Sequence, residues 1–200
     1  MSARGDQAQV FEASPGAESI LAGHPGWGLR PWREDDAADL SDVAGDPAVW
    51  RWMSDHFPHP YTLEHAQHWV GRGHAEFGGT NLAIAYQGRA VGGAGWHALS
   101  GPQRCNCEIG YFLAPPHWRQ GVGTAVVGEL LRKALKEPEI TRVFAPIHAG
   151  NAASAGVLRK NGFVTEGIQR LAAFKAGRVI DLEIWAYYCE PVEGSSGDGP

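Results

Sequence analysis

The stretch His117–Leu135, "HWRQGVGTAVVGELLRKAL", decides the reading of this chain, because Gly121 and Gly123 open a segment whose apolar residues then recur at helical spacing. Immediately upstream, Cys105–Pro115, "CNCEIGYFLAP", reads as a strand stopped by Pro115 and Pro116. A strand that bends into a glycine-opened helix gathers unpaired N–H groups at a positive helix end, and a missing Cβ lets an oxyanion approach the backbone. The turn is therefore a candidate phosphate cradle, although a plain tight strand-to-helix turn uses two glycines just as well. It is not a Walker loop, which needs GxxxxGK[ST]. Nor is it a Rossmann fingerprint: Val126 stands where a third small residue is needed, and Thr141 where the ribose-binding acid would fall.

Outward from this turn, "RVFAPIHA" (142–149) reads as a strand and "NAASAGVLRKNG" (151–162) as a helix closed by Gly162. The stretch from Phe163 to Tyr188 reads as two strands around Ala176 and Gly177. On the N-terminal side, 81–100 is a hairpin turning at Gln87–Arg89, and "WGLRPW" (27–32) is a short strand. Between these lie helices over 33–44, over 47–53 and from Thr62 to Phe77. Residues 1–26 and 191–200 are rich in Gly, Ala, Ser and Pro without periodicity and read as irregular tails, leaving one domain over 27–190. The order predicts an α/β protein with a mixed sheet.

Two hundred residues with 44% apolar content are enough for one sizeable core. A net charge of −5 without a basic run argues against nucleic-acid binding, and no apolar run reaches the ~18–20 residues of a membrane span. With no apolar leader segment either, the expected location is cytoplasmic. Cys105, Cys107 and Cys189 form no CxxC pair and read as reduced thiols.

Taken together, "LRPWREDDAADL", "CEIGYFLAPPHWRQGVGTAVV" and "NAASAGVLRKNGFVTEG" resemble the GCN5-related N-acetyltransferase (GNAT) superfamily, and within it the RimJ/RimL-like ribosomal-protein branch. The resemblance covers about 28–188. It implies a single-domain GNAT-like fold: a mostly antiparallel sheet of six to seven strands flanked by helices, splayed between two central parallel strands to hold acetyl-CoA. The family's pyrophosphate signature falls on Trp118-Arg119-Gln120-Gly121-Val122-Gly123, followed by Thr124, with Trp118 in place of the usual Gln or Arg. The same resemblance gives Phe112, Leu113 and Ala114 main-chain contacts to the pantetheine arm, and puts Asn151 beside that arm. Arg119 becomes a candidate for the 3′-phosphate, or else a solvated turn residue.

Acetyl transfer to an amine needs a neutral nucleophile, a home for the oxyanion and a donor for the departing thiolate. Glu108 is the candidate base by analogy with histone-type members, acting directly or through water; a glutamate paired across the sheet is the structural alternative. Against the family's "LYEKLGF", the sequence "VLRKNGF" puts Leu158 where a tyrosine acid would stand. Ser154 is the substitute offered by the RimJ/RimL-like branch and sits near the CoA sulfur by the same analogy; a helix-surface serine is its alternative.

Trp32, Trp52, His56, Phe57 and Trp96 are the candidate acceptor walls, with Trp50, His59 and Tyr61 close by in sequence. Core packing accounts for a large share of the eight tryptophans. The pairs His56/His59 and His65/His68 have i, i+3 spacing but no supporting carboxylate or cysteine motif, so no metal is expected. The function implied is transfer from acetyl-CoA to a small-molecule amine or a protein N-terminus; the competing reading is a CoA-binding or sensory module without catalysis. The last strands suit either a homodimer contact or an intramolecular sheet.

Overall fold

The computed structural model describes residues 19–189. Eight strands form one sheet: β1 (Ser19–Ile20), β2 (Trp27–Arg30), β3 (Thr80–Tyr86), β4 (Arg89–Ala98), β5 (Asn106–Leu113), β6 (Arg142–His148), β7 (Val164–Lys175) and β8 (Arg178–Tyr188). Their spatial order is β1-β2-β3-β4-β5-β6-β8-β7, antiparallel throughout except for the central pair β5 and β6. This is the expected mixed α/β architecture with one more strand than the six to seven predicted. The extra strand lies in the segment read as a tail: Ser19 and Ile20 pair with β2, and Leu21 is buried. Residues 191–200 lie outside the described residues.

Helices cover both faces. On one, α5 (Val122–Ala134) and α6 (Ala152–Lys160) bury Val122, Val126, Val127, Leu130, Ala155 and Leu158 against Ile109, Val143 and Ala145 of the sheet. On the other, α1 (Ala37–Gly45), α2 (Pro47–Trp50) and α3 (Leu63–His68) cover β3 and β4, with Leu40, Ala44, Ala66 and Val70 at the contact. Both hairpin turns obey the same chirality rule. Gln87–Gly88 and Ala176–Gly177 have positive φ at both central residues, the turn whose twist matches flanking strands.

The helix expected from Thr62 to Phe77 begins where predicted, with the Thr62 hydroxyl accepting the His65 N–H. It is interrupted by a π turn over Trp69–Gly73 before a last turn, α4 (His74–Glu76). The imidazole Nδ1 of His74 lies 2.8 Å from the Trp69 carbonyl across this widened turn. No helix among the described residues is long and apolar enough to cross a membrane.

The entry into α1 is fixed by a buried ion pair. Arg30, at the end of β2, donates both terminal nitrogens to Asp36, each at 2.6 Å, and one of them also to the Gly88 carbonyl of the β3–β4 turn. Asp36 also accepts the Arg33 N–H at 2.8 Å, so one carboxylate ties strand, turn and helix start. Removing one partner of such a pair strands the other charge in the core, which costs about 3–5 kcal/mol. Asp36→Asn is expected to lower the urea unfolding free energy by about 3 kcal/mol, read from the shift in denaturation midpoint at unchanged slope.

Candidate active site

The site begins with a missing hydrogen-bond donor. β5 and β6 pair only from Asn106/Arg142 to Glu108/Phe144. The Arg142 N–H is donated to the Cys105 carbonyl at 3.1 Å, so the even-numbered residues of β6 aim their N–H groups at β5. The next such residue after Phe144 is Pro146, which has no N–H. The ladder stops there, and a gap opens between the C-terminal halves of the two central strands.

The phase of β5 decides which groups face that gap. The Ala114 N–H is donated to the Val91 carbonyl at 2.8 Å. By the alternation of an antiparallel ladder, Phe112 and Ala114 spend their main-chain groups on β4, whereas Ile109, Tyr111 and Leu113 turn theirs toward β6. The Leu113 carbonyl already accepts the Trp118 indole N–H at 2.6 Å. Of the predicted trio Phe112, Leu113 and Ala114, only the Leu113 N–H is placed for a ligand strand, and Tyr111 joins it.

Beyond β5 the chain turns through Pro115–His117 into the glycine loop. Arg119 and Gly121 both adopt positive φ, +63° and +84°. Gly121 is the N-cap of α5 and no side chain caps it. The first intrahelical bond is donated by Ala125 to the Gly121 carbonyl, so the N–H groups of Val122, Gly123 and Thr124 precede the ladder. Val122, the first residue of α5, is buried with its side chain in the core. Gln120 turns its amide back to the Pro116 carbonyl at 2.8 Å, which braces the loop instead of reaching outward. Arg119 is exposed and makes no ion pair among the described residues. Sequence reasoning missed His24: a Cβ built on Gly121 would lie 3.4 Å from its ring, so this imidazole stands beside the cradle. It fell within the supposed tail.

Across the gap, the Asn151 side chain is buried and accepts the Ser154 N–H at 3.1 Å, capping α6. The Tyr111 hydroxyl reaches from β5 to the first turn of α6 and donates to the Ser154 carbonyl at 3.4 Å. Burial pushes this phenol up to about 12. Tyr111 is the hydroxyl that bridges the two sides of the cleft, and it arrives from a strand, not from α6 where the family motif would place a tyrosine; Leu158 in the aligned position is fully buried.

Glu108 points to the opposite face. Its neighbours Cys107 and Ile109 are buried beneath α5, and Glu108 pairs in register with His97 of β4. Desolvation raises its carboxyl above the ordinary range, with His97 opposing the shift. On this face Trp52 lies 6.3 Å from His148 at the end of β6, while the Arg51 guanidinium covers the Trp52 ring. The tip of the β7–β8 hairpin closes over the same region: Lys175 is buried 3.9 Å above the Trp50 ring, and Asp55 accepts the Ala176 N–H at 3.1 Å. Burial and the Lys175 charge push His148 down.

Two expected acceptor residues are elsewhere. Trp96 pairs with Ile109 and faces α5, under Lys133, on the wrong side of the sheet. Trp32 is 8% exposed and belongs to the core between α1 and the sheet, against Gly93. His56 and Phe57 do meet, with Tyr61, Trp69 and Phe77, around a cavity of about 160 Å³. No group of three or more metal-ligating side chains occurs among the described residues.

A sheet splayed between two parallel strands, with an uncapped glycine turn on one face and an acid on the other, defines an acyl-CoA-type transferase scaffold. The chain belongs to the GNAT acetyltransferase family: the family's domain model matches residues 28–164. Its sequence is 31% identical over 96 residues to the uncharacterized N-acetyltransferase YoaA of Bacillus subtilis, covering 48% of this chain and 54% of that protein. It is 30% identical over 123 residues to the putative ribosomal N-acetyltransferase YdaF of the same organism, covering 62% and 67%. The alignment thus spans about half the length of the first relative. In fold it is similar to RimL, a ribosomal L7/L12 alpha-N-protein acetyltransferase in complex with coenzyme A (TM-score 0.72, 21% identity, 85% of this chain and 98% of that one). Mycobacterium smegmatis RimJ in complex with CoA-disulfide is comparably similar (TM-score 0.73, 23% identity, 84% of each chain).

If the gap depends on the donor that Pro146 lacks, Pro146→Ala supplies one and lets the ladder extend. One backbone hydrogen bond contributes about 1 kcal/mol, so calorimetry with CoA is expected to show affinity weakened by about fivefold. Unchanged affinity with a folded variant would separate the gap from this residue.

Proposed function

We propose that this chain transfers an acetyl group from acetyl-CoA directly to a primary amine, on a protein N-terminus or a small molecule, as a cytoplasmic enzyme. The observation that carries the reading is the gap between β5 and β6, which joins the uncapped glycine turn on one face to Glu108 on the other.

The N–H groups of Val122, Gly123 and Thr124 hold the pyrophosphate, with Arg119 and His24 in reach of its surroundings. Main-chain groups of Tyr111 and Leu113 continue the sheet into the gap and align the pantetheine arm as an added strand. Bound acetyl-CoA supplies the activated acetyl thioester. Glu108, in its ionised form, takes the proton that the attacking amine gives up as the C–N bond forms, directly or through water. An α-amino group, with pKa ~7.7–8.0, asks less of this base than a lysine at ~10.4. As the C–S bond breaks, the sulfur keeps the electron pair, and the Tyr111 O–H turns from the Ser154 carbonyl to donate its one hydrogen bond to the thiolate. A phenol held near 12 keeps its own proton at neutral pH, so Tyr111 stabilises the thiolate as a donor and solvent completes its protonation. Before the thiolate forms, the Ser154 carbonyl accepts that proton and holds the phenol at the first turn of α6.

The direct test is thiol release from acetyl-CoA with peptides, amino-acid amides, polyamines and aminoglycosides, beside calorimetry with CoA. CoA binding with turnover is the expected outcome; CoA binding without turnover of any amine would favour the non-catalytic module. Tyr111→Phe is expected to lower kcat by about a hundredfold with the KM for acetyl-CoA little changed, the usual scale for one lost transition-state donor.

Glu108 makes two linked predictions. Its raised carboxyl pKa means that activity falls as acid protonates it, starting at a higher pH than for an ordinary glutamate, and Glu108→Gln should lower the rate and remove that acidic limb. The same shift acts on stability with a fixed sign. The folded state favours the protonated form, so the stabilising contribution is present below the unfolded value of ~4.3 and is lost as pH rises through the folded value. Glu108→Gln should therefore raise the melting temperature at neutral pH, with a gain that shrinks as the pH approaches 4.

A further inference from the structure

The cavity on the Glu108 face of the sheet has a chemistry of its own. Phe57 lies 5.7 Å from Tyr61 and 6.4 Å from Trp69 between ring centroids; Trp69 lies 5.8 Å from Phe77, and Phe77 lies 6.1 Å from His56. These rings line a half-open space of about 160 Å³. That is close to the ~150 Å³ of an apolar cavity known to hold one benzene-sized ring. No carboxylate lines it. Phe77, at its rim, is 60% exposed, a large apolar side chain left in water with rings on one side only.

Two contacts fix where the cavity lies. Phe57 packs edge-on against Phe112 of β5 at 5.6 Å, which brings one wall to the strand that borders the gap. Phe77 leads into Gly78 and Gly79, and a Cβ built on either would touch His97, at 3.9 Å and 3.1 Å. His97 is the cross-strand partner of Glu108. The cavity therefore reaches the strand along which the donor is aligned, through Phe112, and lies on the same face of the sheet as His97 and its cross-strand partner Glu108. The π turn at Trp69–Gly73 lies in its wall, and such turns recur at functional sites.

We infer that this cavity is the side-chain subsite of the acceptor, and that the acceptor is a primary amine carrying one aromatic or comparably bulky apolar group a few bonds from the nitrogen. The inference rests on the acetyl-transfer reading for its chemistry and on the cavity for its selectivity. Polyamines and aminoglycosides fit it less well, since their several strongly hydrated cations would enter a small space with no lining carboxylate, Glu76 standing behind the lining His68 at 3.5 Å.

The experiment measures binding and turnover separately on the full chain saturated with CoA or acetyl-CoA. Phenylalaninamide, a tripeptide beginning with Phe, 2-phenylethylamine, alaninamide and spermidine are compared. Phenylalaninamide is expected to exceed alaninamide by about tenfold or more, both in calorimetric affinity for the CoA complex and in kcat/KM, because a ring is taken from water. The tripeptide and 2-phenylethylamine tell a peptide end from a free amine, since each carries the same ring.

His56→Trp fills the cavity from an exposed position and should bring the phenylalaninamide values down to those of alaninamide, while the Kd for CoA alone is unchanged. Phe77→Ala, also at an exposed position, should reduce the advantage by severalfold. Equal binding of phenylalaninamide and alaninamide, or a preference for spermidine, overturns the inference. Preferential binding of the ring amides without acetylation of any amine leaves the subsite standing and overturns the transfer reading instead.

Discussion

Pro146 lacks an N–H, and the arrangement of the site depends on where that absence falls. A parallel pair in the middle of a sheet is ordinarily stitched along its whole length. Here the stitches end after Glu108/Phe144, at the residue next due to donate. Everything chemical is placed relative to that end: Glu108 lies at the last paired position, the Tyr111 and Leu113 backbones extend past it, and Asn151 caps the helix on the far side. The gap costs the sheet a few hydrogen bonds and leaves β5 with main-chain groups that a ligand strand can satisfy.

The structure around the gap is correspondingly firm. Asn161 donates its amide to carbonyls on both α5 and α6, at 3.1 and 3.0 Å, and locks the two helices that flank the cradle. The Trp118 indole secures the loop to Leu113. On the other face, Lys175, Trp50 and Asp55 pin the β7–β8 hairpin to the segment after α2. The Arg30–Asp36 pair holds the start of α1 to β2 and to the β3–β4 turn. The splay is thus held open by neighbours that are themselves tied, and the site does not rely on loops alone.

Much of this was legible in the sequence because it rests on local rules. Glycines at 121 and 123, turn residues at Gln87–Gly88 and Ala176–Gly177, and the alternation of strands and helices each specify backbone geometry within a few residues. What was not legible depends on pairing. Whether Trp96 faces α5 or the acceptor follows from its register with Ile109, and which of Tyr111 and Phe112 opens its main chain to the gap follows from the phase of the ladder with β4. β1 escaped notice because two residues carry no period, and its place is secured by pairing with β2. Tyr111 was hidden by the assumption that a hydroxyl near the sulfur must come from a helix.

The sheet itself does one thing more. With the glycine cradle and Tyr111 on the side of α5 and α6, and Glu108 with the aromatic cavity on the side of α1 and α3, it stands as a partition with a single slot. Two molecules that meet through a slot arrive and depart by separate doors. Under the proposed transfer, neither need leave before the other enters, and the spent carrier can be exchanged while the modified amine is still seated.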